Sequence, residues 1–190
     1  MMQNMMRAKP TAFVPFVSGM KARFMTSNNA KLFTTNKGRL FRTNEGVSAV
    51  QEFENYLKNA KPVREMKWSD ALMKAAKDHV LDTGPSGKTG HTGVDGSTMS
   101  KRINKYMKWE ATIGENIMYS SKSPLQVLVD LAIDDGVPSR GHRVNIFKPQ
   151  FAYVGCYTGP HKTYVTQTVF DFSGTYDQAY SYTGPTLPIP

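Results

Sequence analysis

The sequence predicts an α+β fold in which helices cover an antiparallel sheet. Three observations predict it. Apolar residues recur at helical spacing in two stretches, 47–60 and 70–83. Polar and apolar residues alternate with period two at 162–172. The strands at the end of the chain have no crossover helix between them, which favours antiparallel pairing over a doubly wound sheet.

Each element has its own signal. Val47, Val50, Phe53, Tyr56 and Leu57 form one helical face, and Lys61-Pro62 stops that helix because the residue before a proline leaves the α region. Ser69 is an N-cap for a second helix, with Leu72, Ala75, Ala76, His79 and Val80 on its apolar face and Gly84 just past its end. Residues 84–96 are rich in Gly, Ser, Thr and Lys and read as a loop. A short helix is expected from Thr98 to Tyr106. Ile113-Gly-Glu-Asn-Ile-Met-Tyr reads as a strand, and Ser123-Pro124 as a cap and first-turn proline before a helix that Gly136 closes. Residues 151–158 and 162–172 read as two strands joined by the turn Thr158-Gly-Pro-His-Lys. His142 falls in a loop. The stretch 174–190, rich in proline and tyrosine and without Lys or Arg, reads as an extended tail.

The charge is unevenly placed. The chain of 190 residues carries a net charge of +9. Residues 1–46 hold eight cations (Arg7, Lys9, Lys21, Arg23, Lys31, Lys37, Arg39 and Arg42) against the single acid Glu45. The rest is nearly balanced. This describes a near-neutral domain, 47–173, behind a basic extended arm, 1–46, whose cations and phenylalanines are the expected contacts to an acidic partner. The arm's content of Arg, hydroxyl residues and few acids also fits a transit peptide, as in Lys21-Ala-Arg-Phe-Met-Thr-Ser. No apolar run is long enough for a membrane span. One cysteine, Cys156, makes no internal disulfide, which favours a reducing compartment; it reads as a small core residue. The basic residues are too dispersed for a nucleic-acid tract.

Four histidines are present. His79 lies on an apolar helix face and reads as buried. His161 reads as a solvent-facing turn residue. His91 and His142 stand beside glycines in predicted loops, where functional groups concentrate. Glu115 is an isolated carboxylate in an apolar strand, and such a charge is paired or functional. Asp130, Asp134 and Asp135 precede His142. Two imidazoles and one or two carboxylates could hold a divalent ion such as zinc. In a structural role, His142 would instead hydrogen-bond Glu115 and tie a loop to the sheet.

Six blocks stand in order along the chain: Met66-Lys-Trp-Ser-Asp-Ala-Leu, His91 with Asp95-Gly96, Lys101-Arg102-Ile103, Gly114-Glu115-Asn116, Gly141-His142-Arg143-Val-Asn-Ile-Phe and Val154-Gly155. Together they resemble the CAP superfamily of cysteine-rich secretory, antigen 5 and pathogenesis-related proteins. The run Asp134-Asp-Gly-Val-Pro-Ser-Arg-Gly-His-Arg is similar to the cysteine-poor bacterial and protist branch. The resemblance implies an α-β-α sandwich around a three-stranded antiparallel sheet. It also implies a cleft lined by His91, His142, Glu115 and Asp134 or Asp130, an aspartate standing where the secreted branch has glutamate. It further implies ligands such as sterols, lipids, ions or proteins rather than one reaction.

No Ser-His-Asp or Cys-His nucleophile arrangement can be assigned. The leading expectation is a non-enzymatic structural subunit of a large assembly, its arm docked on an acidic surface such as a ciliary microtubule. A mitochondrial complex subunit and a metal- or lipid-binding CAP module are the alternatives. A metal-assisted hydrolase with Glu115 as base ranks behind them. The matching location is cytoplasmic, in cytoskeleton or cilium, with the mitochondrion as alternative.

Overall fold

The computed structural model describes residues 2–25, 31–35, 38, 40–120 and 122–174. Its chain order is α1 (Met2–Ala8), a 3-10 turn (Pro10–Phe13), α2 (Val14–Lys21), β1 (Leu32–Thr34), β2 (Leu40–Arg42), α3 (Val47–Asn59), β3 (Lys67–Trp68), α4 (Asp70–Thr83), α5 (Met99–Asn104), β4 (Ile113–Tyr119), α6 (Pro124–Ile133), α7 (Gly141–Phe147), β5 (Phe151–His161) and β6 (Val165–Gly174).

The main sheet has strand order β3-β5-β6-β4. The three long strands are antiparallel, as predicted. The two-residue strand β3 joins β5 in parallel; it is too short to show a period in sequence. One sheet face carries α4 and α5: Ala76 and Val80 pack with Ile117 and Val169, and Leu72, Ala75 and Ile103 with Ile113 and Tyr153. The other face lies under α1, α2, α3, α6 and α7, with Phe53, Leu57, Val129 and Ile146 in the shared core. This is an α-β-α sandwich.

Glycine sets the closeness of one layer. A Cβ on Gly155 of β5 would sit 2.1 Å from the backbone nitrogen of Met73 in α4. Only a residue without that atom lets the start of α4 rest directly on the strand. Ser69 caps the helix there, its hydroxyl accepting from Leu72 N–H.

The first 24 residues correct the expectation of an extended arm. Phe13, Val17, Met20 and Phe24 recur at spacings of four, three and four and are all buried against α3 and α6. Pro10 and Pro15 break the stretch into short helices, which hides the period. Arg7, expected to bind a partner, is 0% exposed. Its Nε donates to Arg64 O at 2.9 Å, Nη1 to Ile146 O at 2.6 Å and Lys148 O at 3.1 Å, and Nη2 to Phe151 O at 3.2 Å. It thus caps the carbonyl end of α7. Burial and the neighbouring Arg64 pull its pKa down to about 10, which leaves it charged at neutral pH. Asn4 pairs with both backbone polar groups of Met66. Lys21 forms an ion pair with Glu54 and bonds Gln51. Arg23 donates to Thr34 O and lies over the Phe33 ring.

Next comes a small sheet. Phe33 pairs with Phe41 across the β1–β2 hairpin, and Phe24 bridges to Phe33 on the other side. Lys9, Lys31 and Arg42 are exposed. Lys37 and Arg39, and the predicted tail beyond Gly174, lie outside the described residues.

Candidate functional site

The two predicted histidines each meet an acid, on opposite faces of the edge strand β4. His91 Nδ1 bonds Glu115 Oε1 at 2.8 Å. Arg102 of α5 donates from Nη2 to Glu115 Oε2 at 2.6 Å and reaches His91 O and Ser97 O as well. Glu115 and Arg102 are buried, while the His91 side chain is 58% exposed. Burial alone would raise the Glu115 pKa; the His91 bond and the Arg102 charge outweigh it and hold the carboxylate low. The Glu115 bond in turn raises His91 above the ordinary imidazole value against the opposing effect of burial.

Asp171 of β6 stands directly across from Glu115 in the ladder and is 0% exposed. Among the described residues no donor reaches either of its oxygens. Burial, then the Glu115 charge, push its pKa well above the usual carboxylate value. The raised pKa favours the protonated form of Asp171, which lessens its repulsion from Glu115 across the ladder. His79 completes this face. It is fully buried, as predicted, and its Nε2 donates to Gly90 O at 2.9 Å. Burial lowers its pKa below the ordinary imidazole value.

His142 corrects two expectations: it sits in helix α7 rather than a loop, and it bonds Asp134 rather than Glu115. Its Nδ1 meets Asp134 Oδ1 at 2.6 Å, and its backbone N–H donates to Asp134 Oδ2 at 2.9 Å. Asp134 adopts the left-handed conformation (φ 60°) at the end of α6, which Asp tolerates better than most residues. Gly136 follows with φ 84°. This turn folds the carboxylate back over the start of α7. On the same face Asn116 Nδ2 donates to His142 O, and Asn145 Nδ2 to Asn116 Oδ1. Arg143 caps α6 through the Ala132 and Ile133 carbonyls and pairs with Glu52. Adjacent residues of a strand point to opposite faces. Glu115 and Asn116 therefore send one pair to the α5 side and the other to the α7 side.

The expected four-residue cation site is accordingly not assembled. Among the described residues no three His, Cys, Asp or Glu side chains form a metal-sized cluster. Both Glu115 oxygens are taken, one by a guanidinium that stands where a second cation would sit. The residues as arranged do not fit zinc. Asp130 is used by Lys122 and Gln126, and Asp135 by the backbone of Asn44 and Glu45.

His161 is also corrected. Strand β5 runs on to it, and the turn lies at 162–164. It is 3% exposed; Nδ1 accepts from Thr163 and Tyr164 N–H, and Nε2 donates to Lys88 O. Tyr119 and Tyr164 pack on its ring. Cys156 is half-buried rather than a core residue.

An open groove of about 880 Å³ runs beside β4 on the His142 side. Met20 and Phe24 of the N-terminal segment, Phe33 and Phe41 of the hairpin, Ile117 and Met118 of β4 and Leu131 of α6 line it, together with Arg23, Arg42, Lys122, Asp134 and His142. His91 and Glu115 do not. The groove was not foreseen because a large part of its wall comes from the segment expected to extend away. Arg102 and Asp171 were missed too. Asp171 is an isolated acid between Phe170 and Phe172 in a predicted strand, the kind of signal that singled out Glu115.

A sandwich of this topology with histidine–acid pairs flanking its edge strand defines a class, and sequence comparison gives it a family. The chain belongs to the CAP family, described as the cysteine-rich secretory protein family, whose profile matches residues 32–172. Two solved structures are similar. An outer surface protein of Borrelia burgdorferi is 20% identical with a TM-score of 0.50, covering 67% of this chain and 90% of its own. An extracellular SCP-domain protein of Bacillus anthracis str. Ames is 19% identical with a TM-score of 0.49, covering 60% of this chain and 35% of its own. At such identities the likeness concerns the fold. No curated protein sequence matches the chain.

Proposed function

We propose that this protein is a non-enzymatic binding module whose groove receives the apolar part of an amphiphilic, lipid-like molecule. One observation carries the reading: the groove of about 880 Å³ has aromatic and aliphatic walls with a few polar groups at its margin, the composition expected of a small-molecule pocket. His142 and Asp134 supply a polar end, and Arg23, Arg42 and Lys122 are the cations that line the groove for an anionic head. Two features weigh against the alternatives. In each histidine–acid pair the carboxylate is already bonded, to Arg102 or a backbone N–H as well as to the imidazole, which weighs against either carboxylate acting as the base of a hydrolase. Arg7, Lys21 and Arg23 of the expected partner-gripping arm are engaged within the chain, which weakens docking on a microtubule or a mitochondrial complex through them.

Organic extraction and mass spectrometry of the purified full chain, with displacement of a fluorescent fatty acid, test the proposal. Phe33→Trp or Leu131→Trp, which fill the groove, are expected to abolish probe binding with secondary structure intact. A chain that yields no amphiphile and binds no probe sinks it. So does zinc retained by the wild type and lost in His91→Ala/His142→Ala.

A further inference from the structure

The small sheet built from the N-terminal segment presents exposed groups of which the groove accounts for only some, Phe41 and Arg42 among them. Met25, Leu40 and Phe41 are 39%, 61% and 55% exposed, three large apolar side chains on one sheet of three short rows. Lys31 and Arg42 are exposed beside them, and Lys122 lies over the Phe41 ring. The first acid of the whole chain is Glu45. Among the described residues no carboxylate pairs with Lys31 or Arg42. Scattered exposed apolar residues are ordinary, but a cluster of them ringed by such cations is not.

We propose that the outer edge of this sheet docks the protein on an anionic lipid surface, Leu40 and Phe41 entering the interface from the two sides of β2 while Lys31 and Arg42 meet the headgroups. Size favours a bilayer over a protein partner. A stable protein interface covers about 800 Å² on each side, far more than three side chains supply. Interfacial attachment needs only a few inserted residues and nearby cations, each cation adding about fivefold in affinity. Phe41, Arg42 and Lys122 also line the groove, so docking brings the groove to the membrane. The docking stands on the sheet alone and holds whether or not the groove is filled, since extraction reads the groove and vesicles read the sheet.

The experiment is co-sedimentation of the full chain with vesicles of phosphatidylcholine, with and without phosphatidylserine, at low and raised salt. The wild type is expected to bind the anionic vesicles and not the neutral ones. Lys31→Ala/Arg42→Ala should weaken binding by roughly 25-fold. The charge-matched control Lys74→Ala/Lys101→Ala, on α4 and α5, should change it little. Leu40→Ser/Phe41→Ser should weaken it as well, and its residual binding should fall off more steeply with salt because only charge remains. The residues altered on the sheet are exposed, and circular dichroism checks the fold of every variant. The proposal is overturned if the control loses as much as the sheet variant, if the serine variant binds like the wild type, or if the chain ignores anionic vesicles yet captures polyglutamate, the result expected of an acidic protein partner.

Discussion

His91–Glu115 and His142–Asp134 carry the same two chemical groups, joined through Nδ1 at similar distances, yet they are built for different work. The first pair is a charge network. A buried carboxylate is held between an exposed imidazole and a buried guanidinium, with the buried Asp171, its pKa raised, across the ladder. The second is a turn lock, in which one carboxylate takes a ring nitrogen and the backbone N–H of the same residue and so joins α6 to α7. Only the second lines the groove. A shared side-chain composition therefore does not imply a shared site; the face of β4 on which each pair lies decides it.

Breaking the network should cost most. Arg102→Met leaves a buried carboxylate without its cation and is expected to lower stability by about 3–4 kcal/mol at neutral pH. The loss should shrink in acid, where Glu115 takes up a proton. Denaturant midpoints at two pH values check this. The turn lock should cost less. Asp134→Ala removes both hydrogen bonds and places alanine in the left-handed region, for about 2 kcal/mol. Asp134→Asn keeps an acceptor and tolerates that region, and should lose about half as much. Equal losses for the two substitutions would contradict the hydrogen-bond account.

Asp171→Asn sharpens the contrast through pH. The folded pKa of Asp171 lies well above its unfolded value. Its contribution is thus fully present below the unfolded pKa of about 4 and is lost as pH rises through the folded value. Asparagine holds its amide proton at all pH values. The variant should match the wild type in acid and gain relative to it as pH rises; a constant difference across pH would refute a protonated Asp171. The smallest effect belongs to the exposed imidazole. Because its folded pKa is raised, His91 contributes stability below about pH 6.5 that fades as pH rises through the folded pKa. His91→Ala should therefore be felt more at pH 6 than at pH 8, and NMR titration of the ring should give a midpoint above the usual imidazole value.

Much of the domain was legible because its signals are local. The apolar face of α4 with its Ser69 cap and the alternation in β6 needed only neighbouring residues to be read. Glu115 stood out as a lone carboxylate in an apolar strand, His91 and His142 as histidines beside glycines in predicted loops, and Asp134 as one of the acids preceding His142. Which partner each took was not legible. Asp134 reaches His142 because it adopts a left-handed turn. Glu115 reaches Arg102 because α5 packs on its face of the sheet. His161 is buried because β5 outruns its expected end.

The N-terminal segment shows where a sequence stops deciding. By itself the chain determined that residues 1–44 would be basic, acid-free and rich in phenylalanine and methionine, and that 47–173 would be helices over an antiparallel sheet. Only the tertiary structure decided that Arg7 is an internal cap while Arg42 is an exposed cation, and that Phe24 enters the core while Phe41 stays exposed. Composition reports what a side chain can do. Whether its charge meets carbonyls, lipid or water depends on which distant surface the fold lays beside it, since backbone acceptors gathered at the end of α7 can hold a buried guanidinium that no nearby residue could have held.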